Sequence, residues 1–170
     1  HMRRVFRALT VVTAYCLICV TPSHAADQLE RVKAVFLFKF FDYVSWENKA
    51  KAPKTLCTFG HHPFGKDLIF IAKMRNSDKI NIIDIDTLAD AAKCHVLYIH
   101  HIDNNKPLNN IPNNAQTLIV SSDMSALKSG AMVLMEEKSG RVQLSINLKA
   151  AERKHLKISS RLLQISNVIR

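Results

Sequence analysis

The apolar positions change period along the chain. Over residues 28–46, Leu29, Val32, Phe36, Phe40 and Val44 recur three or four residues apart, and Leu37 and Phe41 widen the stripe. That spacing puts them on one side of a 3.6-residue helix and predicts one long amphipathic helix over 28–46. A polar link over 47–54, containing Pro53, follows. Short apolar runs then alternate with helical patterns. Strands are expected at 55–60, 80–85, 95–100 and 117–121, with helical segments at 64–74, 87–92 and 124–128. Asp86 is placed to cap the second of those helical segments. A loop rich in Asn and Pro separates the third and fourth strands. Runs such as Val96-Leu97-Tyr98-Ile99 are apolar without alternation, as in strands covered on both faces.

The end of the chain changes character. Residues 131–136 and 141–147 read as two strands of a hairpin joined by Glu137-Lys138-Ser139-Gly140. Asn147 is placed to cap a helix running to Leu156. Ser159 is placed to cap a last helix with Leu162, Leu163, Ile165, Val168 and Ile169 on one side. Alternating strands and helices of these lengths imply an α/β three-layer sandwich around a mostly parallel sheet of about four to five strands, with a C-terminal β-hairpin and helices.

The first residues carry a different signal. His1 precedes Met2 and reads as a cloning scar. Arg3, Arg4 and Arg7 come next, then an apolar run over 8–20, then small residues at Ser23 and Ala25. That order is a secretory signal peptide with cleavage expected after Ala25, and the run is shorter than the ~20 residues that span a bilayer. The expected organisation is therefore 1–25, scar plus signal peptide, and 26–170, a single exported domain. An uncleaved anchor is the alternative. Beyond Ala25 the chain keeps 21 of its 24 Lys and Arg and all 14 acids, for a formal charge of +7 (21 − 14). A cytosolic protein this basic would point to nucleic acid. For an exported one, an acidic partner face or an anionic membrane surface fits better, beside the plainer reading of a solvated basic surface.

Export also bears on the cysteines. Cys16 and Cys19 leave with the signal peptide, and Cys57 and Cys94 remain as an even pair. In an oxidising compartment a disulfide is the expectation, two buried thiols the alternative. Cys57 starts one expected strand and Cys94 precedes another, and adjacent parallel strands lie within disulfide reach.

Catalytic arrangements are scarce. The sequence carries neither a nucleophile elbow nor a P-loop, and Gly60-His61-His62-Pro63-Phe64-Gly65 has too few glycines for a dinucleotide fingerprint. No enzyme activity and no cofactor is expected. His61-His62 and His100-His101 follow strand ends, but neighbours on a strand face opposite ways and no zinc-type spacing accompanies them, so no metal site is expected. His95 reads as a hydrogen-bonded structural residue. Asp123 sits at a strand-to-helix turn, as a cap or facing a ligand. Arg141 opens a hairpin strand and suits a phosphate or carboxylate. A small ligand, if bound, is expected at the sheet edge near His61, Asp123 and Arg141. The first helix carries more aromatic mass than one face needs: Phe36, Phe38, Phe40, Phe41, Tyr43 and Trp46. Core packing is one reading, a partner or dimer surface the other. Phe36, Phe38, Tyr43 and Trp46 are the interface candidates, with Phe38 and Tyr43 expected to point outward because they fall off the stripe.

Several of these stretches together resemble YfiR-like periplasmic proteins. They are Lys33-Ala34-Val35-Phe36-Leu37-Phe38-Lys39-Phe40 through Val44-Ser45-Trp46, then Pro63-Phe64-Gly65, Cys94-His95-Val96-Leu97-Tyr98-Ile99 and Val120-Ser121-Ser122-Asp123. Gly140-Arg141-Val142, Ile146-Asn147-Leu148, Ala150-Ala151 and Leu156-Lys157-Ile158-Ser159-Ser160-Arg161-Leu162-Leu163 complete the set. The resemblance implies a periplasmic α/β domain, often a homodimer, that represses a membrane-bound diguanylate cyclase through the cyclase's periplasmic domain. Cyclic di-GMP and biofilm formation then stay low. It also implies a disulfide between the positions of Cys57 and Cys94. The alternative function is a periplasmic small-molecule sensor, and no nucleic-acid partner is implied.

Overall fold

The computed structural model describes residues 23–49, 51–75, 79–103 and 108–170. The first 22 residues of the expected scar and signal segment 1–25 lie outside them. Helix α1 (Ser23–Tyr43) opens the described chain, so the cleavage point expected after Ala25 falls in its first turn.

The helix ends three residues earlier than its periodicity predicts. Val44–Trp46 is strand β1, not helix, and it pairs antiparallel with β8 (Leu156–Ile158), with Val44 opposite Ile158 and Trp46 opposite Leu156. Val44 and Trp46 point inward and Ser45 outward, a period-two pattern that three residues cannot distinguish from a helical turn. The Tyr43 carbonyl accepts from the Ser159 amide, which extends this ladder by one bond.

The main sheet has seven strands in the order β3-β2-β4-β5-β6-β7-β9. The first five are β2 (Thr55–Phe59), β3 (Asn81–Ile85), β4 (Val96–Ile99), β5 (Leu118–Ser121) and β6 (Val133–Lys138), all mutually parallel. Their order is the 2-1-3-4-5 pattern of a doubly wound sheet, which reverses direction between β2 and β4. β7 (Arg141–Asn147) runs antiparallel to β6. The hairpin loop is shorter than the sequence suggests: only Ser139 and Gly140 separate the strands, at φ 50° and 72°. Two positive-φ residues in succession make the turn whose twist matches the flanking strands, and glycine takes the second position without strain.

Alternating residues on the central strands build two cores. Leu56, Val96, Tyr98, Leu118, Val120, Met135 and Leu144 face α1 and α2 (Asp67–Met74). Cys57, Leu97, Ile99 and Ile119 face the other way, against the short 3-10 helix Leu88–Lys93, a 3-10 turn at Leu108–Asn110, and α3 (Ser125–Lys128). This is the three-layer α/β sandwich that the alternation implies, with seven sheet strands rather than four or five. Thr87, not Asp86, caps the 3-10 helix, its hydroxyl accepting from the Ala89 amide.

The C-terminal region holds a further departure. Asn147 caps α4 (Leu148–Arg153), and Ser159 caps α5 (Ser160–Gln164), as the sequence predicts. Each helix is short, however. Leu156–Ile158 is β8, and Asn167–Ile169 is β9, parallel to β7, where a continuing helix was expected.

Which face of α1 is buried also differs from expectation. Ala34, Leu37, Phe38, Phe40 and Phe41 are buried, and Val32, assigned to the inner stripe, is exposed. Phe38 is therefore not an outward residue: it is 2% exposed and among the largest fully buried side chains. The helix is rotated by about one position from the Val32–Phe36–Phe40 line because residues 33, 34, 37, 38 and 41 also form an i, i+1, i+4, i+5, i+8 face.

Candidate functional site

The strand order reverses between β2 and β4, and in doubly wound sheets the crevice beyond the carboxyl ends of those strands is where ligands sit. Tyr98, on β4, is fully buried and reaches toward that edge. Its phenol lies 2.7 Å from His100 Nδ1 and 2.8 Å from Ser122 Oγ, and its ring packs against Phe64 at 4.7 Å. His100 and Ser122 each follow the end of a parallel strand, so the sheet's register brings the three together. With His100 neutral, the geometry suits a relay in which Ser122 donates to Tyr98 and Tyr98 donates to His100 Nδ1.

Electrostatics hold His100 in that neutral form. Burial, reinforced by His101 and Lys33, pulls its pKa down to about 4. Burial also pushes the Tyr98 phenol well above its ordinary value.

A partly buried ion cluster adjoins this relay. Lys33 projects from the inner face of α1 and is 3% exposed. Its ammonium donates to Glu137 at 2.8 Å and to Glu30 at 3.2 Å. Glu137 stands near the end of β6, so the pair ties α1 to the hairpin. Glu30 Oε2 is buried with no hydrogen-bond partner. Burial raises the Glu30 carboxyl above its usual range, whereas the Lys33 hydrogen bond holds Glu137 below it.

The residues singled out in the sequence are distributed along this edge rather than gathered. His61 follows β2, is exposed, and contributes to the positive field at His100. Asp123 follows β5, and its carboxylate is committed to backbone: Oδ2 accepts from the Ile102 amide, Oδ1 from the Ser125 amide and hydroxyl. Those bonds lower its pKa. Arg141 opens β7, beyond β6, on an apolar groove with Leu29, Val32, Phe36 and Val142. Of the four interface candidates, Phe38 and Trp46 are buried, and Phe36 and Tyr43 are half-buried. The Trp46 indole donates to the His95 carbonyl at 3.0 Å, which anchors β1 to the start of β4. Among the described residues no three His, Cys, Asp or Glu side chains converge as a metal site.

The cluster of Glu30, Lys33, Tyr98, His100, Ser122 and Glu137 was not singled out from the sequence. One signal was present: Lys33 adjoins Ala34 and Leu37 on an otherwise apolar helix face, and a lysine there must be paired.

Cys57 and Cys94 are disulfide-bonded, with Cα atoms 5.8 Å apart across neighbouring β2 and β4. The Cys94 carbonyl accepts from Thr117 Oγ1 at 2.9 Å and from Lys49 Nζ at 2.7 Å.

No helix among the described residues is long and apolar enough to cross a membrane. No curated protein sequence matches the chain. Among solved structures, a conserved domain protein of Vibrio cholerae O1 biovar El Tor strain N16961 is 16% identical, with 82% of this chain covering 60% of that one at a TM-score of 0.49. The ABC domain of a Streptococcus pneumoniae protein in complex with L-Trp is 13% identical, with 80% of this chain covering 60% of that one at a TM-score of 0.43. The chain thus spans about 60% of the length of both. Residues 30–167, which include every element from the Lys33 cluster to the hairpin and the last helix, match one family throughout, and the chain belongs to the YfiR/HmsC-like family.

Proposed function

We propose that this protein is an exported, periplasmic regulator that binds the periplasmic domain of a membrane-bound diguanylate cyclase and holds the enzyme inactive. Cyclic di-GMP, and biofilm formation with it, then stays low. In this reading residues 1–25 are removed on export, residues 26–170 form a single domain, and the protein acts by recognition rather than catalysis, as a homodimer.

Membership of the YfiR/HmsC-like family over residues 30–167 is the observation that carries the reading. The basic, apolar and small-residue order of the first 25 positions supports export, and the Cys57–Cys94 bridge suits an oxidising compartment. Accessible apolar surface on α1 supports a binding role. Val32 is 39% exposed, and it lines, with Leu29 and Phe36, the groove that ends at Arg141. Large apolar side chains beside a cation are common anchors in interfaces.

The test is deletion and complementation. Removing the gene should raise cyclic di-GMP, and the exported protein supplied in trans should lower it again. A form retained in the cytoplasm should not. Unchanged cyclic di-GMP on deletion would remove the basis for the proposal.

A second reading is favoured by one feature, the Tyr98–His100–Ser122 chain at the strand-order reversal. There the protein senses a small molecule at the carboxyl edge of the sheet, and occupancy changes its hold on the cyclase.

A further inference from the structure

At the opposite end of the parallel strands, where β1 crosses the start of β4, lies a cleft of about 230 Å³. Its inner walls are Phe41, Val44, Trp46 and His95, all buried, and its rim carries Lys49 and Lys54. No acidic residue lines it.

The walls are fixed. Trp46 is edge-on to His95 at 5.3 Å and lies 5.7 Å from Phe41. Both His95 nitrogens are engaged. Nδ1 accepts from the Thr55 amide at 3.2 Å, which requires the Nε2–H tautomer and makes Nε2 the donor toward the Lys49 carbonyl at 3.4 Å. His95 is therefore a neutral wall, and the polar demand of the cleft comes from the lysines.

Lys49 is the unusual member. It is half-buried, and its ammonium is held by the Cys94 carbonyl at 2.7 Å. No carboxylate lies within ion-pair distance of it among the described residues. Burial alone lowers its pKa to about 8. Such a cation, short of water and without a counter-ion, has unspent capacity for an anion, and Lys54 adds to the positive field.

We propose that this cleft binds a small carboxylate with an apolar body, its carboxylate on Lys49 and Lys54 and its body against Phe41 and Trp46. The volume is below the roughly 300 Å³ at which sites for drug-sized ligands begin, so one ring or a branched chain is the size that fits. A phosphate is disfavoured by the donor set. Lysine ammoniums are point charges, and no arginine lines the cleft to offer a bidentate fork. The proposal does not depend on the cyclase reading.

Trp46 is the only tryptophan of the chain, so its emission reports on the cleft. Phenylacetate is titrated into the purified disulfide-bonded protein, with Trp46 emission and isothermal calorimetry read in parallel. Saturable binding with a Kd of about 1 mM or tighter is expected, at least ~10-fold tighter than for 2-phenylethanol, which lacks the charge. Lys49→Met should weaken phenylacetate binding by at least ~10-fold, and Lys49→Arg by no more than ~3-fold. Lys66→Met, on a different surface, should leave it unchanged. Circular dichroism checks that each variant is folded. If Lys49→Met fails to fold, the comparison of phenylacetate with 2-phenylethanol on the wild type decides alone. The proposal is overturned if neither method detects saturation below about 10 mM, if the alcohol binds equally well, if folded Lys49→Met binds like wild type, or if inorganic phosphate displaces phenylacetate at equal concentration.

Discussion

Replacing Lys33 with methionine tests whether the ion cluster around it fastens α1 to the sheet. The substitution keeps the length and apolar stem of the side chain and removes only the ammonium. Glu30 and Glu137 then face each other without a cation. The Glu30 side chain is 19% exposed and that of Glu137 41% exposed. Breaking a fully buried pair costs about 3–5 kcal/mol, and a surface pair is worth about 0–1. Partial access of water to Glu137 sets the expectation between them, at about 2–3 kcal/mol at pH 7. For a domain of this size that lowers Tm by about 5–10 °C. The pH dependence is the sharper readout. In the wild type the raised Glu30 pKa gives stability that is lost as pH rises, and the lowered Glu137 pKa gives stability that is lost as pH falls. Those trends oppose each other. Without Lys33 the largest influence that lowers each carboxyl is gone, so both folded pKa values rise, Glu30 further above its usual range. The variant then loses stability as pH rises through them, and its deficit shrinks toward pH 4.5. Urea unfolding followed by circular dichroism at pH 7 and pH 4.5, with the disulfide intact, gives the comparison. A variant within about 0.5 kcal/mol of wild type at pH 7, or with equal deficits at both pH values, refutes the argument.

Other expectations follow from the same geometry. His100 titrates near 6.5 when unfolded and near 4 when folded, so the wild type should lose on the order of 1–2 kcal/mol as pH falls through that window, after allowance for its partial exposure. His100→Gln should flatten this loss in denaturant titrations between pH 7 and pH 4. Replacing both Cys57 and Cys94 with alanine opens a link of sequence separation 37 and should lower the urea-unfolding free energy by about 3–4 kcal/mol. Phe38→Ala should cost about 3–5 kcal/mol of stability in the same assay. Phe36→Ala should cost about 1 kcal/mol or less of stability while weakening partner binding by about 2 kcal/mol.

Local signals carried much of this fold. The alternation of apolar runs with helical spacing reflects strands covered on both faces, which is why β2, β4 and β5 were found close to their observed bounds. Asn147 and Ser159 advertised their caps because capping depends on one side chain and the next few amides. The failures share a cause as well. β1 and β9 are three residues each, and their extended form is decided by partners far along the chain, Leu156–Ile158 for one and Ser145–Asn147 for the other. Phe38 falls off one of two overlapping, equally periodic stripes on α1, and only docking on the sheet selects between them. The site was less legible still. Lys33 pairs with Glu137, 104 residues away, as well as with Glu30, and Tyr98 meets Ser122 at the end of the neighbouring strand. Glu30 and His100 are local partners of these two residues, but nothing local announces Glu137 or Ser122.

The central claim is that the exported domain holds a diguanylate cyclase inactive from the periplasmic side. It is tested most directly by reconstitution. Membrane vesicles carrying a membrane-bound diguanylate cyclase with a periplasmic domain from the same organism, oriented with that domain outward and GTP sealed inside, are treated with the disulfide-bonded domain, and cyclic di-GMP is measured by mass spectrometry. Synthesis that falls in step with added protein and saturates near one domain per cyclase, with Phe36→Ala requiring roughly 30-fold more protein as a 2 kcal/mol loss implies, is the predicted result. Undiminished synthesis at saturating protein, with no protein retained on the vesicles, contradicts the account.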